Sequence, residues 1–131
     1  GALGKRLYLR VADLYKSNEK PEVQTTDDMR SVLLEISSKR LGATAVLDGS
    51  KLVGIITDGD VRRMLHRELP FESFTAADVM THNPLTTHTD VLVADVLDLM
   101  RNNHITQMLV MDKDIYVGVI HIHDILKEGI I

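Results

Sequence analysis

The sequence predicts an α+β fold: two tandem copies of one strand-helix-strand-strand-helix unit, related by a pseudo-twofold axis. Three observations carry this. Val53-Gly54-Ile55-Ile56-Thr57-Asp58-Gly59-Asp60-Val61 recurs 64 positions later as Val117-Gly118-Val119-Ile120-His121-Ile122-His123-Asp124-Ile125. The same offset pairs Val32-Leu33 with Val96-Leu97, Val46 with Val110 and Asp48 with Asp112. Ala12-Asp13-Leu14 matches Ala77-Asp78-Val79 at an offset of 65, so one residue is gained or lost near Pro21 and Pro84. A copy of about 55 residues buries only ~60% of its unfolded surface, so two copies are expected to share a core.

The elements follow in chain order. Gly1 to Arg10 reads as a connector, because Leu3, Leu7, Leu9 and Val11 are too irregular to choose helix or strand. The copies span residues 11–70 and 76–131. In the first, Val23 to Thr25 is a short strand, and Thr26-Asp27-Asp28 supplies a cap and early acids for a helix. Met29, Val32, Leu33 and Ile36 give that helix its period, and Gly42 is expected to end it. Ala43 to Leu47 is an apolar strand, Asp48-Gly49 a hairpin turn, Leu52 to Thr57 the return strand, and Asp58 to His66 the closing helix. The second copy repeats the order: a strand over Leu85 to Thr87, a helix from Asp90 to Asn103, strands over Thr106 to Met111 and Ile115 to His121, and a helix from Ile122.

Composition narrows function. The net charge of −4 and pI near 5.8 speak against a nucleic-acid partner held by bulk charge. No apolar run is long enough for a membrane span. The chain has no cysteine, which removes disulfides and thiol chemistry and fits a cytoplasmic protein. Aromatic residues are 4% of the chain, too few for a base-stacking platform. No catalytic constellation is visible: there is no Gly-x-Ser-x-Gly and no phosphate-cradling Walker loop. The six methionines read as core filler.

Two motifs carry the candidate chemistry. Thr57-x-x-Asp60 approximates a capping box, which needs no ligand, yet a helix start also offers N–H donors and positive charge to an anion. In the second copy His121 replaces the threonine, and an imidazole is expected to be a poor cap. The His121-x-His123 pair with Asp124 admits three roles: metal ligation, contact with an anionic ligand, or structural hydrogen bonding. A helix beginning at Ile122 puts His123 past the strand, which breaks the metal geometry, so no metal site is expected. Arg62 and Arg63 can meet a phosphate or carboxylate, or simply form a solvated face. Leu126 and Lys127 stand at their matching positions.

The repeat order, with Gly54-Ile55-Ile56-Thr57-Asp58-Gly59-Asp60 joining the last strand to the last helix, resembles the cystathionine β-synthase (CBS) domain. Two in tandem resemble a CBS pair, the Bateman module. The resemblance covers Val11 to Ile131, with histidine where the second copy would carry Thr or Ser. It implies two ligand clefts, one on Thr57, Asp58 and Asp60, the other on His121, His123 and Asp124, with the aspartate accepting bonds from ribose hydroxyls. Thr44 and Thr106, near the starts of matching strands, are implied as wall residues. Gly1-Ala2-Leu3-Gly4-Lys5-Arg6-Leu7, with the blocks at Thr57 and His121, also resembles the C-terminal part of the arabinose 5-phosphate isomerases, whose sugar-isomerase (SIS) domain does the chemistry. This implies that residues 1–10 link to that domain, that the segment is not itself an enzyme, and that it takes no cofactor. A regulatory ligand is implied instead: AMP, ATP or a CMP-sugar such as CMP-Kdo. The partners implied are the protein's own SIS domain and a second copy in a homodimer, with no membrane. The other readings are a structural oligomerisation module with empty clefts and a free-standing adenine-nucleotide sensor.

Overall fold

The computed structural model describes residues 1–131, the side chain of Ala2 excepted. Its elements are α1 (Ala2–Tyr8), β1 (Glu22–Gln24), α2 (Met29–Lys39), β2 (Ala43–Asp48), β3 (Lys51–Thr57), α3 (Asp58–Leu65), α4 (Ala76–Val79), β4 (Thr81–His82), β5 (Thr86–His88), α5 (Val93–Asn102), β6 (Gln107–Asp112), β7 (Ile115–His121) and α6 (Ile122–Leu126). The copies at 11–70 and 76–131 are sequence copies. The compact units in space are drawn otherwise: one holds Pro21–Pro84, the other Gly1–Lys20 with Leu85–Ile131.

The Pro21–Pro84 unit has a four-stranded sheet in the order β1-β2-β3-β4. β1 runs parallel to β2, with Val23 opposite Val46, and β2 and β3 form a hairpin with Val46 opposite Gly54. Asp48 pairs with Lys51, leaving Gly49 at φ +64° in the turn, a conformation glycine takes without steric cost. The core gathers Val23, Met29, Val32, Val46, Ile56 and Met64. Leu33, expected in the stripe of α2, is instead 36% exposed. The helix also ends earlier than Gly42: Arg40 takes the left-handed cap at φ +63°, donating its N–H to Ile36 O.

The other unit repeats the plan with the order β5-β6-β7, parallel and then antiparallel, and Val110 opposite Gly118. Its core gathers Val93, Val96, Leu97, Met100, Met108 and Ile120. The opening segment, for which periodicity chose no state, is helical. Lys5 pairs with Glu128 at 3.1 Å, and Arg6 donates to Ile131 O at 2.7 Å. The helix expected from Asp90 begins three residues later at Val93, because the backbone before it is already paired. Val11 N–H donates to Val91 O, Ala12 N–H to Thr89 O, and Val93 N–H to Leu9 O. The first repeat does the same with its own partner segment: Ala76 N–H donates to Asp27 O and Ala77 N–H to Thr25 O. The matched tripeptides at Ala12 and Ala77 are therefore equivalent clamps, each on the backbone ahead of a helix.

Both repeat glycines are places of close approach. A Cβ on Gly54 would lie 2.6 Å from Met80 Sδ and 2.9 Å from Thr81 O. A Cβ on Gly118 would lie 2.9 Å from the Tyr15 ring. Tyr15 and Met80 are themselves 65 positions apart, so the same part of each clamp segment seats on the same glycine.

Candidate functional site

At the junction of β3 and α3 the chain builds a closed capping box. The Asp60 N–H donates to Thr57 Oγ1 at 3.3 Å, while the Thr57 N–H and hydroxyl donate to Asp60 Oδ2 at 2.9 and 3.2 Å. This satisfies backbone donors that a helix start otherwise leaves open. Oδ1 of the same carboxylate accepts from Arg63 Nη2 at 2.6 Å and from the Thr81 hydroxyl at 2.8 Å. Burial pushes the Asp60 carboxyl up, but the bonds from the Thr57 backbone, Arg63, Thr81 and the Thr57 hydroxyl outweigh it and hold the group below the usual carboxylate range.

The junction of β7 and α6 builds the corresponding box from different side chains. The His121 N–H donates to Asp124 Oδ2 at 2.8 Å, and His121 Nδ1 accepts from the His123 N–H at 3.1 Å. The expectation that imidazole would cap poorly is thus corrected: in the neutral ring Nδ1 is a working acceptor. Asn18 Nδ2 bridges Asp124 Oδ2 at 2.6 Å and Val119 O at 3.0 Å. The His121 and His123 rings stack with centroids 4.8 Å apart. Burial first, and then the neighbouring His123, push the His121 pKa down against the opposing pull of Asp124.

Thr57, Asp60 and Arg63 come together at the first junction, and His121, His123 and Asp124 at the second. Asp58 opens α3 from an exposed position, its N–H bonded to Gly42 O at 3.2 Å, and Arg62 is exposed and outside the cluster. Thr44 is buried in β2, its hydroxyl donating to Ala45 O. Thr106 is exposed, donates to Gln107 Oε1 at 2.7 Å, and receives the Ile122 N–H on its carbonyl at 2.7 Å. Thr81 and Asn18 were not legible as site residues, because both lie in clamp segments remote in sequence. No His, Asp or Glu group of three or more among the described residues is arranged to hold a metal ion. No helix among them is long and apolar enough to cross a membrane.

The CBS domain family matches residues 11–67 and again 76–130. The chain belongs to the CBS domain family. Two matches in one chain make it a CBS pair, and solved CBS pairs carry the same fold. The CBS domain pair of protein MJ0100, in complex with 5′-methylthioadenosine and S-adenosyl-L-methionine, is 25% identical with a TM-score of 0.76, covering 93% of this chain and 96% of that one. A CBS domain protein from Pyrobaculum aerophilum, complexed with AMP, is 22% identical with a TM-score of 0.78, over 88% of this chain and 89% of that one. Arabinose 5-phosphate isomerase KdsD of Escherichia coli K12 is 39% identical over all of this CBS pair. The chain spans 40% of that relative's length.

Proposed function

We propose that this CBS pair is the regulatory region of an arabinose 5-phosphate isomerase, binding a nucleotide or nucleotide-sugar that controls a companion SIS domain. The similarity to KdsD along the full chain carries the reading. The two buried carboxylates, each beside a helix start, supply chemistry suited to it: an acceptor for sugar hydroxyls at the positive end of a helix dipole. The candidate ligand residues are Thr57, Asp58, Asp60, Arg62 and Thr44 in the first repeat, and Thr106, His121, His123 and Asp124 in the second; Arg63, the remaining candidate from the sequence, is already bonded to Asp60. CMP-Kdo is the specific candidate, since an end product is the economical signal to an early enzyme, and AMP and ATP are the alternatives. The chemistry of isomerisation belongs to the SIS domain, the protein works in the cytoplasm, and the pair associates as a homodimer.

Calorimetric titration with AMP, ATP, CMP and CMP-Kdo tests this. Saturable binding of one of them is expected, with affinity falling ~10- to 150-fold in Asp60→Ala or Asp124→Ala, whichever holds the sugar. No heat from any of the four at ~1 mM overturns the ligand reading.

One observation favours a second reading, a structural module that only joins subunits. Both carboxylates are already bonded within the chain. A homodimer in either reading would draw on the apolar positions of the closing helices, Val61, Met64, Leu65, Ile125, Leu126 and Ile130, of which Met64, Ile125 and Ile130 are buried in their own cores. Leu65 is 66% exposed, and Val61 and Leu126 are half-buried. Light scattering at ~100 µM that returns a monomer removes the dimer from both readings.

A further inference from the structure

We propose that Arg63 sets the inequality of the two sites: its guanidinium sits on Asp60 where a ligand diol would have to bind, so the first site is self-occupied and opens only when Arg63 leaves. This rests on the ligand-binding reading above and says how that site is regulated. An ionised carboxylate has about four acceptor positions, and Asp60 has all of them in use. Oδ2 takes the Thr57 N–H and hydroxyl, and Oδ1 takes Thr81 and Arg63. A vicinal diol needs acceptor positions on this carboxylate, so it must displace something.

The partner to be displaced follows from exposure and chain position. The Thr57 bonds are part of the helix cap, and Thr81 is held beside the acid by the pairing of β4 with β3, where it stands opposite Ile55. The Arg63 side chain is 71% exposed while that of Asp60 is 5% exposed, so the acid is fixed and the guanidinium is free to swing into water. The guanidinium lies against Gly59, where a Cβ would come within 3.4 Å of Nη1 and 3.6 Å of Nη2. In the second repeat the matching residue is Lys127, and no ion pair joins it to Asp124 among the described residues. The bonds from His121 and Asn18 both fall on Oδ2 of Asp124.

The test is a titration of ¹⁵N-labelled chain with adenosine and with 2′-deoxyadenosine, following the amides of 57–63 and 121–127 separately. The parent and Arg63→Met are compared, with Arg63→Ala as a second variant, and unchanged thermal melting establishes that each is folded. Removing the guanidinium is expected to tighten adenosine at 57–63 by roughly 5- to 20-fold, with no change at 121–127 and no gain for 2′-deoxyadenosine. Weaker binding in both variants would mean that Arg63 contacts the ligand, and would overturn the proposal. Binding at 121–127 with 57–63 silent in parent and variants alike would overturn it while leaving the ligand reading intact. Silence at both junctions for every ligand and variant would overturn both.

Discussion

The first repeat holds its acid with Thr57, Arg63 and Thr81; the second holds the equivalent acid with His121 and Asn18. The backbone plan is common, down to the clamp segment and the glycine beneath it. What differs is the type of group that completes each junction. A threonine hydroxyl and a guanidinium keep their state across the physiological pH range, whereas an imidazole does not. Duplication therefore preserved the geometry of the turn and left its charge free to diverge. The two repeats should part from one another at each level, starting with the shared glycines.

The largest effects are expected where the clamp meets the sheet. Gly54→Ala puts a Cβ against both Met80 and the Thr81 carbonyl, and a backbone atom cannot move aside alone. Gly118→Ala meets only the ring of Tyr15, a side chain that can turn. Overpacking of this kind costs ~1–3 kcal/mol, and Gly54→Ala should lie at the upper end and Gly118→Ala at the lower. Urea denaturation of the two variants measures this. Equal costs would show that the second clamp is as rigid as the first.

Next come the acids. Asp60→Ala removes the acceptor of Thr57, Thr81 and Arg63, of which the exposed Thr81 and Arg63 can turn to water, whereas Asp124→Ala removes that of His121 and Asn18. Losing a cap costs ~0.5–2 kcal/mol, and each buried donor left unpaired adds ~1–3 kcal/mol before relaxation. Because Asp60 also loses the charge-assisted bond from Arg63, Asp60→Ala is expected to lower the denaturation midpoint slightly more than Asp124→Ala. The reverse order would mean that Asn18, tying its segment to both Val119 and Asp124, contributes more than the guanidinium.

Much of this architecture is legible in the sequence, and the reason is periodicity. The offset of 64 fixes the order of strands and helices, and Asp48-Gly49 fixes the hairpin, because each depends on neighbours in the chain. Two kinds of fact are not local. The helix start moves from Asp90 to Val93 because Leu9 to Ala12 pair with the backbone ahead of it. Thr81 and Asn18 reach Asp60 and Asp124 from clamp segments, 21 and 106 positions away. The matched tripeptides at Ala12 and Ala77, with Asn18 and Asn83 at the same offset of 65, hold the sequence trace of those clamps. The cap at His121 departs from expectation for a different reason: cap preferences describe typical side chains, and here the ring stacks on His123 with Nδ1 turned to the His123 N–H.

The smallest effect, and the one that separates the repeats most cleanly, is pH. The His121 pKa is lowered from 6.5 in the folded chain, so the unfolded chain takes up the proton first as the pH falls. The stability it contributes is complete above about 6.5 and is lost as the pH drops through the lower folded value. Protonation puts a hydrogen on Nδ1, so the His123 N–H loses its acceptor, and the stacked His123 ring opposes the new charge. Asp124 pulls the other way, and Asn18, the remaining polar partner at the junction, is neutral. Asp60 is lowered from 3.8, so the contribution of the first junction is complete above that value and is lost only as the pH falls through its still lower folded value. Between these windows the second junction should loosen while the first holds. The loss is bounded by one cap, about 1 kcal/mol. Amide exchange, corrected for its intrinsic pH dependence, should show protection of 122–126 falling between pH 7.5 and 5 while that of 58–65 stays constant. His121→Thr, which copies the first repeat's cap, should abolish the fall. Persistence of the fall in that variant would assign it to another group and end the contrast drawn between the two junctions.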